Sequence, residues 1–361
     1  MTNKLRQYFP MIHTRQEVLA EIEAKPKLKQ EFYSWEKKYR KEFLDFCTGV
    51  KGVKIMYDFI SKEILNPETV PERVEELLSL LIGQQVHIKE VLPNDGTRIS
   101  DESTLVIMDM VVELEDGSIV NLEVQKIGYK FPGARSACYS ADLLLRQYKK
   151  VRSKKGKKFN YTDVKDVYTI VLFEKSPTEF HEFPDTYIHY FEQHSNTGIQ
   201  LNLLQKYLFI SIDIFLKYQQ NIGIQLETRR DAWLAFMGSD DPDIILKVIE
   251  KYPDFKGMYQ QVYEICQNIE EVMRMFSKEL AEMDRNTAQL MIDEMQEDIK
   301  QKEEILKGQD DRIKDQINKL KEQDDRLKEQ DDRLKEQDDR LKEQDQVIRK
   351  LMKKIEQLEN K

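Results

Sequence analysis

Residues 324–330, Asp-Asp-Arg-Leu-Lys-Glu-Gln, recur unchanged at 331–337 and 338–344. An apolar residue falls at every seventh position through Leu306, Ile313, Leu320, Leu327, Leu334, Leu341, Ile348 and Ile355. A sustained seven-residue apolar period predicts a helix that supercoils with a partner. Its second seam position is polar at Gln323, Gln330, Gln337 and Gln344, and turns apolar at Leu351 and Leu358. Acid-before-base pairs four apart, Asp324 with Lys328 and Glu329 with Arg333, each add ~0.2–0.5 kcal/mol to such a helix. The expectation is a charge-stapled coiled coil over residues 296–361 and a parallel homodimer held mainly by its last two heptads. The globular part must be built from the residues before it.

Within that part, Ser103 to Lys126 holds two apolar runs around Glu115-Asp116-Gly117, with Asp109, Glu123 and Gln125 as polar intruders. A carboxylate in such a run costs several kcal/mol if it lacks a partner. The turn decides whether the two acids meet. A three-residue loop with a left-handed Gly117 pairs Leu114 with Ser118 and sets Asp109 opposite Glu123. A two-residue loop would set Asp109 against Val124, on the opposite face from Glu123. The three-residue register is the one that gathers the charges. Glu123 and Gln125, two apart, leave the strand on the same face. Opposed carboxylates repel, and a divalent cation relieves them; oxygen ligands suit Mg²⁺ or Mn²⁺. The competing arrangement leaves both acids on the exposed face of an amphipathic sheet.

Asp109, then Glu123-Val124-Gln125, then a helix from Arg135 through Tyr139 to Arg146-Gln147-Tyr148, resemble the PD-(D/E)XK nuclease family transposases, or recombination-promoting nucleases (Rpn proteins). The likeness runs from about Asn66 to Lys175 and more loosely to about Met295. It implies a metal held by Asp109, Glu123 and the Val124 main-chain carbonyl. Gln125 stands where the superfamily usually has Lys, a form that resembles the Rpn branch. Phosphodiester hydrolysis needs an activated water and neutralised phosphate charge, which a carboxylate-held Mg²⁺ supplies. Gln125 can orient that water but cannot deprotonate it.

The flanks complete an αβββαβ order. Pro71 to Gly83 has Pro at the start, acids in the first turn and Gly at the stop of a helix. Val86 to Leu92 is a short strand, Pro132 to Val151 a helix, and Asp166 to Phe173 a buried strand. Glu75 or Glu76 offers a third carboxylate, although acids in a first turn are favoured by the helix dipole anyway. Arg135, Tyr139, Asp142 and Arg146 form a polar stripe suited to a nucleic-acid backbone. From Arg146 to Lys158 the chain carries Lys154, Lys155, Lys157 and Lys158 among eight cations and no acid. Such a basic loop is suited to phosphates.

The predicted fold class is α/β, a restriction-endonuclease-like core with a mixed sheet flanked by helices. The expected division is a helical cap in 1–65, the core in 66–175, a mixed then helical accessory region in 176–295, and the coiled coil. Net charge is −9, unlike a nonspecific DNA coat protein. Cys47, Cys138 and Cys266 form neither zinc spacing nor a disulfide framework, which suits a reducing cytoplasm. No apolar run reaches membrane-spanning length. The expected function is Mg²⁺-dependent DNA cleavage, linked to mobile elements or recombination. The alternative is a non-catalytic interaction protein, a degenerate nuclease fold displayed on an oligomerising stalk.

Overall fold

The computed structural model describes residues 3–93, 110–126 and 132–359. Two compact units partition the chain, Met1–Met291 and Ile292–Lys361. The first opens with helices α1 (Lys4–Tyr8), α2 (Arg15–Ala24), α3 (Pro26–Ser34), α4 (Lys37–Cys47) and α5 (Asp58–Ile64). Helix α6 (Pro71–Ile82) follows, with Pro at its first position and left-handed Gly83 (φ 82°) as its cap. Then come β1 (Ile88–Leu92), β2 (Met110–Leu114), β3 (Ile119–Gln125), α7 (Pro132–Lys155) and β4 (Val167–Phe173). This is the expected αβββαβ order. Helix α7 runs through to Lys155, one turn past the predicted end, because the basic tract has no Pro or Gly before Gly156.

Two further strands, β5 (Ile188–Phe191) and β6 (Gln205–Ser211), join the same sheet, in the order β1-β2-β3-β4-β6-β5. Strand β3 is antiparallel to β2 and parallel to β4, and β4 is parallel to β6. The sheet is therefore mixed. Helices α8 (Ile212–Asn221), α9 (Arg229–Gly238), α10 (Pro242–Lys251) and α11 (Phe255–Ile265) complete the body, and α12 (Ile269–Glu359) continues into the second unit.

Period-2 alternation splits β2, β3, β4 and β6 between two buried faces. Val112, Leu114, Val120, Leu122, Ile170, Leu172, Leu208 and Ile210 enter the main core shared with the helical cap and the helices after β6. Trp35, Phe43, Phe46 and Tyr57 of the cap pack around Phe276 of α12 with ring centroids 5.3–5.8 Å apart. These four aromatics belong to the main core. On the other face, Val111, Ile119 and Val167 pack beneath Tyr139 and Leu143 of α7.

The hairpin has the three-residue loop. Leu114 N–H donates to the Ser118 carbonyl (2.8 Å) and Gly117 N–H to the Leu114 carbonyl (2.9 Å), with Gly117 at φ 90°. The ladder then pairs Glu113 with Ile119 and Met110 with Leu122.

In the second unit the helix carries Leu306, Ile313, Leu320, Leu327, Leu334, Leu341 and Ile348 exposed along its length. Asp324–Lys328, Asp331–Lys335 and Asp338–Lys342 are ion pairs at 2.8, 2.9 and 2.6 Å. Among the described residues no helix is long and apolar enough to cross a membrane.

Candidate active site on the third strand

Strand β3 turns Asn121, Glu123 and Gln125 to the α7 face, and burial there is nearly complete: Glu123 is 3% exposed. A buried carboxylate must be hydrogen-bonded. Asn121 Nδ2 donates to Glu123 Oε1 at 2.9 Å and Gln125 Nε2 to Oε2 at 3.4 Å. Each amide spends its N–H on Glu123. Asn121 Oδ1 and Gln125 Oε1 then lie buried with no hydrogen-bond partner among the described residues, as does Thr169 Oγ1, the register neighbour of Asn121 on β4. Buried acceptors without donors cost about 1–3 kcal/mol each, so this oxygen-rich strip suits water or a cation.

Asp109 precedes Met110 and lies outside the described residues. Val124 takes the opposite face, packed against the main core. Among the described residues no three His, Cys, Asp or Glu side chains gather into a metal cluster. Glu75 and Glu76 both commit elsewhere. Glu75 accepts the Ile88 N–H (2.7 Å) and faces His87 (3.2 Å); Glu76 pairs with Arg229, which also holds Asp254.

The end of β3 is anchored from beneath. Glu174 N–H donates to the Gln125 carbonyl (2.8 Å), and its carboxylate pairs with Lys54 (2.7 Å). Lys54 lies 3.8 Å from Glu42, which accepts the Tyr57 hydroxyl (2.5 Å). The Tyr57 ring sits 4.9 Å from the Lys126 ammonium. Lys126 in turn meets Glu279 of α12, whose second oxygen accepts the Asp58 N–H (3.0 Å). A closed circuit, buried at Lys126 and Glu279 and part-exposed at Lys54 and Glu42, thus holds Gln125 and Lys126 to α4, α5 and α12. Burial pushes the Lys126 ammonium down to about 8, against the pull of Glu174 and Asp58. Lys126 follows Gln125 and points away from Glu123, so it does not replace the superfamily's lysine at this face.

Helix α7 faces the sheet with Ser136, Tyr139, Ser140, Leu143 and Gln147. Tyr139 is 6% exposed in the apolar cluster, and Arg135 lies with its guanidinium 5.2 Å from the Tyr139 ring centroid. Arg146 reaches buried Asp142 (2.7 Å) and the Pro93 carbonyl (3.2 Å). The predicted stripe is therefore largely turned inward, not laid along the outer surface. Gln147 clasps the Gly117 carbonyl (2.9 Å) and the Lys165 N–H (2.8 Å), which runs α7 antiparallel to β3 toward the hairpin turn.

That direction separates the basic tract from Glu123. The rise from Leu143 to Lys155 along the helix and from Ile119 to Glu123 along the strand together give roughly 30 Å. The tract is helical to Lys155 and a 3-10 turn over Gly156–Lys158, not a loose loop. Lys150 serves Glu90 (2.7 Å) and Glu113 (2.8 Å), and Lys155 pairs with Asp163. Lys154, Lys157 and Lys158 are exposed. Asn121, absent from the residues singled out in the sequence, was recoverable from strand period alone. The circuit through Lys54, Glu42 and Glu279 was not, because its members lie far apart in the chain.

A mixed, two-sided sheet with a buried carboxylate on the strand after a hairpin, beneath the next helix, defines a restriction-endonuclease-like protein. The family profile of PD-(D/E)XK nuclease family transposases matches residues 55–295, well over half of the chain. The chain belongs to that family. Membership points to nuclease function and DNA binding, and PD-(D/E)XK nucleases generally use divalent metals. Searches of curated proteins and of solved structures found no match.

Proposed function

We propose that this chain is a metal-dependent DNA endonuclease of the recombination-promoting type, acting in the cytoplasm on mobile-element or recombining DNA. The observation that carries the reading is Glu123, a buried carboxylate fixed from both sides by Asn121 and Gln125 on a strip of unpartnered oxygens. Such a donor set fits a hard cation such as Mg²⁺ or Mn²⁺. Asp109, Glu123 and the Val124 carbonyl would hold it. When bound, the ion would acidify a water and neutralise phosphate charge. Gln125 would orient that water by accepting its O–H at the free Oε1. Its amide cannot take up a proton at neutral pH, so the proton of a metal-acidified water would leave to solvent.

Arg135, Tyr139 and Arg146 act in this reading chiefly by fixing α7 over the site, and Lys154, Lys155, Lys157 and Lys158 supply remote phosphate contacts. The exposed heptad seam is the surface for a second copy, giving a parallel homodimer. We likewise assign residues 1–65 as a cap, 66–175 as the catalytic core and 176–295 as an accessory region. The test is conversion of supercoiled plasmid in Mg²⁺ and in Mn²⁺. Wild type is expected to nick, and Asp109→Ala and Glu123→Ala to be inert; equal nicking by all three would remove the assignment.

One observation favours a second reading, a non-catalytic interaction protein with a degenerate nuclease fold on its coiled-coil stalk. Two amides satisfy Glu123 without any cation. Under that reading purified wild type leaves the plasmid intact in both metals while retaining DNA affinity.

A further inference from the structure

The far end of α7 carries a feature that the nuclease reading leaves unused. Tyr161 is 75% exposed. It is nevertheless rigidly held. Its ring stacks on Tyr148 with centroids 6.2 Å apart and planes 11° apart, and the Arg152 guanidinium lies 5.6 Å from the Tyr148 centroid. Phe159 meets both tyrosine rings edge-on at 5.5 and 5.3 Å. The 3-10 turn Tyr161–Asp163 is closed by a capping box: Thr162 N–H donates to the Asn160 side chain (3.1 Å) and Asn160 N–H to Asp163 (2.9 Å). Asp163 is pinned in turn by Lys155, which holds its carboxyl below the usual range. The turn beside it ends in Lys157 and Lys158, with Lys154 one helical step before.

We propose that this end of α7 is a platform for an unpaired nucleic-acid strand, with Tyr161 as the stacking surface and Lys154, Lys157 and Lys158 as its phosphate contacts. The proposal rests on the nucleic-acid reading of the basic tract given above. An exposed aromatic already fixed in its turn offers contact area with little ordering cost to binding. A base in a duplex hides its faces in the stack, so only an unpaired base can lie on Tyr161. Duplex would engage the lysines and leave the ring idle. Tyr148, on which Tyr161 stacks, lies roughly 20 Å from Glu123 along α7 and β3, so the platform would grip a strand away from the scissile bond.

Fluorescence anisotropy in EDTA isolates this contact from the metal site. The full chain is titrated with an oligothymidylate of about twenty nucleotides and with a duplex of equal length. Tyr161→Ala should weaken oligothymidylate binding about 5- to 150-fold, and duplex binding less than about twofold. Tyr161→Phe should bind as wild type does. Reversing Lys154, Lys157 and Lys158 to Glu should flatten the salt dependence of single-strand binding by about two units of slope. Unchanged oligothymidylate affinity in Tyr161→Ala, or equal losses on both probes, would overturn the platform. Intact strand binding by a protein that never cleaves would sink the nuclease reading and leave the platform standing.

Discussion

Glu279→Leu removes the carboxylate that Lys126 meets in the interior. Glu279 is 3% exposed and the Lys126 side chain 13%, so the stranded ammonium stays far from water. The face of Tyr57 stays beside it, and Glu174 and Asp58 still attract it. Breaking one partner of a buried pair costs about 3–5 kcal/mol. The Asp58 N–H also loses its acceptor at 3.0 Å, worth about 1 kcal/mol. The two losses share one side chain, so the expected total is about 4 kcal/mol, a large part of the roughly 5–15 kcal/mol that holds a domain folded. Lys126→Met with Glu279→Leu removes both charges and should recover most of it, ending within about 2 kcal/mol of wild type. Urea denaturation followed by tryptophan fluorescence reads this well, because Trp35 packs on Phe276 and donates to Ser277 (3.2 Å), one turn before Glu279 on α12. A single variant costing less than about 1 kcal/mol, or a double variant no better than the single, would refute the claim that Lys126 and Glu279 are a buried pair that closes the circuit.

Three further outcomes follow from the same geometry. Burial works to raise the Glu113 carboxyl, but Lys150 and Lys89 hold it below the usual range. Its stabilising contribution is therefore present above the unfolded value of 4.5 and fades as pH falls through the folded one. Glu113→Gln should cost on the order of 1–2 kcal/mol at pH 7 and little in strong acid, where equal losses at both pH values would count against it. Gly117→Val puts a branched side chain at φ 90°, with its Cβ 3.3 Å from the Lys165 side chain, and should destabilise by about 2 kcal/mol, more than Gly117→Asn; equal costs in urea melts would discount the turn. Deleting residues 296–361 should convert a dimer to a monomer in light scattering, and an unchanged mass would put the dimer contact elsewhere.

Much of the sheet was legible because its signals are local. The Glu115-Asp116-Gly117 turn set the hairpin register, and the apolar continuity of Val167–Phe173 marked a strand buried on both faces. The contribution of β5 and β6 was not legible. Their neighbours are chosen by tertiary packing on β4, which period-2 alternation cannot name. The α7 stripe was ambiguous for a related reason. Arg135, Tyr139, Asp142 and Arg146 share a helical face with the residues beside them, and spacing does not say whether that face meets solvent or a sheet. Glu75 and Glu76 were adjacent candidates in sequence, yet Arg229 and the Ile88 N–H claim them from distant segments. The position of the basic tract depended on α7 running a turn further and antiparallel to β3, a direction visible only once Gln147 is seen on Gly117.

The central claim is that the Glu123 carboxylate, steadied by Asn121 and Gln125, is a ligand for a divalent cation. Calorimetric titration of Mn²⁺ into metal-free protein tests it without reference to any substrate. Wild type should give a saturable isotherm and Glu123→Ala should give none, with both proteins equally folded by circular dichroism. The same isotherm from both would contradict the account.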